Sequence, residues 1–477
     1  MARLNDETGS LDAMKGRTDK EGSDHVEDIQ ADTASWRGKG ESHHDGKNGD
    51  PQEKTMMERI LAPENLAEAW KRVKANKGAP GIDGMTVEAF PAFCREHWPR
   101  IRQAIQEGLY GPAPVRRVFI PKPDGSQRPL GVPTVLDRVI QQAVAQVLGP
   151  VFEPGFSEHS YGFREGRNAH QAVRQVEAGW EEGCRHAVDC DLKAFFDTVN
   201  HDRLMEQLRQ KIGDRQVLGL IRSYLQAGVV MPDGTREATP QGVPQGGPLS
   251  PLLANIVLDP LDKELETRGH KFARYADDFI VMVKSAKAAT RVMASLIRFA
   301  EDKLKLVVNR AKSQAAPLKA CSFLGFQIGA RGKVVWTAKA LARFKKRVKE
   351  ITSRNRGCRV TDVINELRLY VVGWLNYYGI SNTYKVVLEL SEWVRRRVRL
   401  YYWKQWKQPR TRRRNLIKLG ADPSEVKLAT RSRKGYWRMS SNRIVQQAMT
   451  NHWLEEQGVP NIRTLWIKLH YGPKARV

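Results

Sequence analysis

The sequence predicts an α+β protein: a mixed strand-and-helix region up to about residue 335, then a helical region. Two observations carry that expectation. Short β-branched runs flank polar turns at 115–134 and 272–283, the pattern of hairpins. From residue 338 onward, apolar residues recur at helical spacing over three long stretches. Charge is the third observation. The 477 residues hold 79 Lys and Arg against 53 Asp and Glu, net +26. Such an excess opposes compaction unless an anionic partner neutralises it.

Residues 1–54 hold 8 Lys and Arg and 13 Asp and Glu, net −5, so residues 55–477 carry +31. This first segment lacks apolar periodicity and reads as a disordered acidic, polar extension. Order begins near Met56. Residues 56–78 read as a helix broken at Pro63, with Leu66, Ala69, Trp70 and Val73 on one face. Residues 87–109 read as a helix pair. VRRVFI (115–120) and QRPLGV (127–132) read as the arms of a hairpin, with Lys122 and Arg128 flanking its turn. On a hairpin those cations can clamp a phosphate chain, Arg bidentately; the alternative is a solvated basic turn. A helix follows over 135–152.

Arg164 and Arg167 stand among glycines ahead of a helix, in a loop suited to phosphate or template-backbone contact. Residues 186–199 begin as an alternating strand that runs into a turn. Asp191 is conspicuous there, because acids are depleted in strands. Phe195 and Phe196 follow, a pair suited either to the core or to a place beneath a bound sugar. Gln245-Gly246-Gly247 precedes a helix starting near Ser250-Pro251, with Ser250 as the expected N-cap. The glycines let backbone approach a ligand closely.

The stretch FARYADDFIVMV (272–283) is the centre of the reading. It predicts a hairpin with Asp277 and Asp278 at its tip. Adjacent carboxylates repel, so the tip is either a solvated turn or a shared cation site, and charge-dense oxygen donors suit Mg²⁺. An amphipathic helix (288–306) follows, then Lys312 in a polar connection, then CSFLGFQIG (321–329) as an apolar strand with a central glycine.

Residues 339–354, 361–379 and 385–407 read as three helices with one apolar face and one basic or aromatic face. Residues 340–440 hold 26 Lys and Arg against 7 Asp and Glu. Trp393, Tyr401, Tyr402, Trp403 and Trp406 interleave there with Arg395, Arg396, Arg397, Lys404 and Lys407. Cations meet phosphates and rings stack on bases, so this density points to RNA or DNA. No apolar run approaches the ~18 residues a membrane span needs, and the N-terminus lacks a signal peptide. The five cysteines form no CxxC pair, which argues against structural zinc and fits a reducing cytoplasm.

The motifs NKGAPGIDG (76–84), RPLGVPTVLDRVIQQA (128–143), SYGFREGRNAH (160–170), QGGPLSPLLAN (245–255), YADD (275–278), FLGF (323–326) and GWLNYYG (373–379) occur in one order. In that set and order the chain resembles the reverse transcriptase and maturase proteins encoded by bacterial group II introns. It resembles above all the compact class C members, which lack a zinc-containing endonuclease domain. The likeness runs from about residue 56 to about residue 470.

The resemblance implies a right-hand polymerase fold: fingers and palm over 55–335, a helical thumb or maturase domain X over 336–440, and a C-terminal DNA-binding region over 441–477. It implies Asp191, Asp277 and Asp278 as catalytic ligands of two Mg²⁺ ions. Lys122, Arg128, Phe196, Gln245 and Lys312 are implied as dNTP contacts, with Phe196 excluding a 2′-hydroxyl. Arg164, Arg167, Arg395, Arg396, Arg397, Lys404 and Lys407 are the expected nucleic-acid contacts. Implied partners are group II intron RNA, an RNA template with a DNA or RNA primer, dNTPs and target DNA, without a membrane and with a dimer allowed. The implied function is RNA-dependent DNA synthesis together with intron splicing and mobility by target-primed reverse transcription, in the bacterial cytoplasm. Two alternatives stand beside it: a non-enzymatic RNA-binding splicing factor, and a host-adapted reverse transcriptase in DNA repair or defence.

Overall fold

The computed structural model describes residues 54–121, 125 and 127–472, which fall into two compact units, 54–317 and 318–472. The acidic extension, apart from Lys54, and Lys122 lie outside the described residues.

The first unit opens with α1 (Met56–Ile60) and α2 (Pro63–Ala75). Thr55 and Glu58 close a capping box on α1, and Pro63 takes the first turn of α2, where its missing N–H costs nothing. Leu66, Ala69, Trp70 and Val73 are buried, as their spacing predicts. The expected helix pair over 87–109 is instead one helix, α3 (Phe90–Gln106), with Pro99 inside it. Phe90, Cys94, Trp98 and Ile105 bury one face of it, and that burial outweighs the hydrogen bond that proline removes.

β1 (Val115–Pro121) and β2 (Gln127–Val132) pair antiparallel from Arg116↔Val132 to Pro121↔Gln127. Then come α4 (Val135–Phe152), α5 (Ala169–Glu181), β3 (His186–Cys190) and the short α6 (Phe195–Thr198). They are followed by α7 (His201–Arg209), α8 (Arg215–Gln226), β4 (Val229–Val230) and β5 (Arg236–Glu237). β4 lies parallel to β1, giving a small sheet of order β2-β1-β4-β5. α9 (Ser250–Thr267) starts one residue earlier than its N-cap signal suggests. Leu249 is the cap, and the Ser250 hydroxyl donates to the Pro244 carbonyl at 2.6 Å, tying the preceding loop to the helix.

A second sheet of order β6-β7-β3-β8 joins β6 (Lys271–Tyr275), β7 (Asp278–Val283), β3 and β8 (Gln314–Pro317), all antiparallel. α10 (Ala286–Arg298) and a π-turn over 299–303 connect β7 to β8. β7 is buried from Phe279 to Val283. Both its faces are covered, with Met282 against Gly179 of α5 and Phe279 and Val281 in the main core. That is why its sequence is a continuous apolar run rather than an alternating one.

The second unit contains a hairpin of β9 (Phe326–Ile328) and β10 (Val334–Trp336). The expected strand over 321–329 is mostly a turn: Leu324 (φ 52°) and Gly325 (φ 82°) are both left-handed, and only 326–328 are extended. α11 (Ala338–Ile351), α12 (Val360–Tyr378) and α13 (Tyr384–Gln405) follow as expected. Six shorter helices complete the unit: α14 (Pro409–Lys418), α15 (Pro423–Thr430), α16 (Tyr436–Met439), α17 (Arg443–Ala448), α18 (Asn451–Glu456) and α19 (Ile462–Tyr471). Trp374 packs within 4.5 Å of Phe344 and 4.8 Å of Trp336, centroid to centroid, and the Trp336 indole donates to the Tyr378 carbonyl at 2.7 Å. Tyr401, Tyr402 and Trp403 are buried. Tyr402 and Trp403, expected to interleave with cations, therefore serve as core. No described helix is long and apolar enough to cross a membrane.

Candidate active site

β6 and β7 are joined by a two-residue turn, Ala276-Asp277, closed by the pair Tyr275↔Asp278. Ala276 is left-handed (φ 58°) and buried. A Cβ in that conformation costs roughly 1–2 kcal/mol, so surrounding contacts must hold it. β3 lies beside β7 with its last pair at Cys190↔Phe279. Asp191 and Asp278 are thus the next residues outward on the two strands. The Asp191 backbone is clasped from a third side: its N–H donates to Ser313 Oγ at 3.0 Å, and its carbonyl accepts from the Asn309 N–H at 2.8 Å. Lys312 sits exposed in that same 309–313 turn.

Asp277 is half-buried, and burial pushes its carboxyl above the usual range. The Asp191 charge adds to the rise, while its own backbone N–H, Arg128 and Arg274 oppose it. The two carboxylates therefore feel each other, which is the condition a shared cation relieves. Asp278, at the start of β7, is exposed. Among the described residues no three His, Cys, Asp or Glu side chains are gathered tightly enough to hold one ion. Of the expected convergence of three carboxylates, the fold presents the Asp191–Asp277 pair. An all-oxygen, open donor set fits Mg²⁺, which binds through one or two carboxylates and completes its octahedron with waters and substrate phosphates.

Arg128, exposed at the start of β2, lies close enough for its charge to act on Asp277. Its Nε donates to Gln245 Oε1 at 3.1 Å, and its charge acts on both Asp277 and Asp197. The Gln245 carbonyl accepts from the Gly131 N–H of β2 at 2.7 Å. Gly246 is left-handed (φ 115°), and a Cβ on it would stand 2.6 Å from the Gly131 oxygen, so glycine is needed for this loop to seat on β2. The same loop reaches the other way: the Val243 N–H donates to the Phe196 carbonyl at 2.6 Å, and the Gly242 N–H to Val199 at 2.8 Å. Phe196 is 8% exposed and packs edge-on against Phe195 at 5.2 Å.

Sequence reasoning misplaced one arginine. Arg164 is buried, not a free phosphate ligand. Its guanidinium binds Glu153 and the carbonyls of Ser157 and Ser160. Arg167 pairs with Glu158 and lies over the Tyr161 ring. Both stitch the 153–167 loop to itself. Arg164→Ala should lower the melting point, because two buried carbonyls lose a charged donor at ~1–3 kcal/mol, and should leave the salt dependence of RNA binding unchanged. Thermal melting and salt-titrated binding check both.

In the helical unit, Arg395 donates to Ser391 Oγ, and Arg397 to Thr352 and the Lys349 carbonyl. Arg396 lies 3.8 Å over the Trp437 ring. These three guanidinia are engaged within the fold. Lys404 borders the Tyr436 ring, with Arg354 and Arg412 on the same ring, and Lys407 is exposed.

One group escaped the sequence reading: Arg274, buried beneath the acidic turn with Asp262 and Asn255. The available signal was a guanidinium in the middle of a strand whose neighbours are apolar.

Residues 120–328 match the family model for reverse transcriptase (RNA-dependent DNA polymerase), and residues 341–420 that for the group II intron maturase-specific domain. Protein YkfC of Escherichia coli (strain K12) is 34% identical over 300 residues, covering 54% of this chain and 78% of that protein. Group II intron-encoded protein LtrA of Lactococcus lactis subsp. cremoris is 30% identical over 354 residues, covering 60% of this chain and 58% of that protein. The Putative COX1/OXI3 intron 1 protein of Saccharomyces cerevisiae is 30% identical over 222 residues, 46% of this chain and 26% of that protein. The chain thus spans over three quarters of the first relative and little more than half of the second.

Proposed function

The chain belongs to the family of group II intron reverse transcriptases and maturases, and from that premise we propose that it copies RNA into DNA while binding and splicing its own intron RNA. The observation that carries the reading is the Asp191–Asp277 pair with Arg128 and Gln245 beside it. We assign Asp191, Asp277 and the exposed Asp278 to divalent-ion binding. When bound, two Mg²⁺ ions would stabilise charge on the attacking and leaving oxygens of an in-line displacement at the α-phosphate. The chain's own residues then have separable tasks. Arg128, with Lys122 and Lys312, holds the triphosphate of the incoming dNTP; a planar guanidinium suits phosphate bidentately. Gln245 fixes the Arg128 fork. Phe196 lies under the sugar and leaves no room for a 2′-hydroxyl.

Residues 55–335 act as fingers and palm, 336–440 as thumb and maturase domain, and 441–477 as a region that contacts target DNA. Lys404, Lys407 and the Tyr436 cluster are the thumb positions best suited to RNA, since the Arg395–Arg397 guanidinia hold the fold. The setting is a bacterial cytoplasm, and mobility proceeds by target-primed reverse transcription. Splicing of the group II intron RNA that flanks the coding sequence, assayed at low Mg²⁺, should accelerate when the protein is added. A rate independent of the protein would remove the maturase half of the proposal.

A further inference from the structure

The Ala276-Asp277 turn rests on a buried polar assembly. The Arg274 side chain is wholly buried, and so is that of Asp262. Arg274 Nε donates to the two Asp262 oxygens at 2.8 and 3.0 Å, and Nη2 donates to Oδ2. Nη1 donates to Asn255 Oδ1 at 3.0 Å and to the Ala276 carbonyl at 2.9 Å. Asn255 in turn donates through Nδ2 to the Gly162 carbonyl at 2.9 Å, and Gly162 lies against the Ala276 backbone nitrogen. The backbone joins in: the Arg274 N–H donates to His159, and its carbonyl accepts from Tyr161. The guanidinium thus ties α9 to the residue immediately before Asp277, while the Arg274 backbone and Asn255 bind the 159–162 segment to the same assembly.

We propose that Arg274 is a positioning residue for the metal-binding carboxylates, holding the Ala276 carbonyl so that the left-handed turn aims Asp277 toward Asp191, while Asp262 and Asn255 fix the guanidinium for that task. The proposal rests on the polymerase reading of the site. Its geometry accounts for two oddities at once. A left-handed alanine is strained, and the hydrogen bond to its carbonyl offsets that strain. A buried ion pair gives little net stability over an apolar pair of the same volume, so its presence suggests a task other than stability.

Two variants of the full chain separate positioning from support. Arg274→Lys keeps the charge opposite Asp262, but one ammonium cannot reach Asp262, Asn255 and Ala276 together. Arg274→Met with Asp262→Leu removes both charges and keeps an apolar filling. The readouts are thermal melting, Mn²⁺ affinity from the free-ion EPR signal with primer–template bound, and steady-state primer extension. For Arg274→Lys we expect little change in melting point and in the KM for dNTP. Mn²⁺ affinity and kcat should each fall about 10–100-fold, the range for partners that orient metal ligands. The double variant should melt near wild type and show the same deficits. Either variant folding and binding Mn²⁺ with wild-type affinity would overturn the proposal, as would loss of the fold in both, since the assembly would then serve the fold rather than the turn. A wild-type protein that binds Mn²⁺ but extends no primer would overturn the polymerase reading instead, a result distinct from these.

Discussion

Asp277→Asn should lower RNA-templated DNA synthesis by roughly 10³-fold or more, because a metal ligand supplies several kcal/mol at about 1.4 kcal/mol per tenfold in rate. Asparagine keeps the size of the side chain and removes the charge that a cation needs. The left-handed residue of the turn is Ala276, not Asp277, so the backbone has no reason to move. RNA affinity should stay at the wild-type value, since it depends on cations that neutralise phosphates rather than on this acid. Primer extension beside a binding titration separates the two effects. Extension at a near-normal rate would show that Asp277 is not a metal ligand.

Gly162→Ala should cost activity nearly as heavily, from a position that bears no chemistry. A Cβ there would overlap the Ala276 nitrogen and stand 2.9 Å from the Tyr275 carbonyl carbon. Both are backbone atoms and cannot rotate aside. The acidic turn must shift, and a displacement near 1 Å costs about 10²-fold in rate. Overpacking adds ~1–3 kcal/mol of instability. Gly219→Ala is the control: apart from its own helix and chain neighbours, no atom lies within 4 Å of the added Cβ, so extension should hold and melting should not fall. Equal activity of the Gly162 and Gly219 variants would mean that the turn tolerates movement and that the close packing is incidental.

The acidic hairpin was legible because apolar runs flank a polar dipeptide, but its register was not: the two-residue turn is Ala276-Asp277 rather than the acid pair, and Asp278 opens β7 opposite Tyr275. The three long helices were legible from a period repeated over many residues. Readings failed where a long-range contact decided the outcome. Arg164 stands in a glycine-rich loop and looked exposed, yet Glu153 and two carbonyls bury it. Tyr402 and Trp403 follow a run of arginines and looked like a stacking face, yet the helix turns them inward. Residues 87–109 read as a helix pair, but the buried face of α3 carries a single helix through Pro99. The most consequential omission was Arg274, whose partners lie 12 and 19 residues upstream on a helix that no local pattern aligns with the strand. Motif order pointed to the candidate site; the packing beneath it came only from the fold.

The central claim is that this chain performs templated synthesis, and one measurement tests it most directly. Purified protein is given an RNA template, an annealed DNA primer, dNTPs and Mg²⁺, and the products are sized with and without an excess of EDTA. Complementary DNA that extends to the end of the template and vanishes with EDTA is the expected product. Tight RNA binding with no extended primer at any Mg²⁺ concentration would contradict it and leave an RNA-binding protein without polymerase activity.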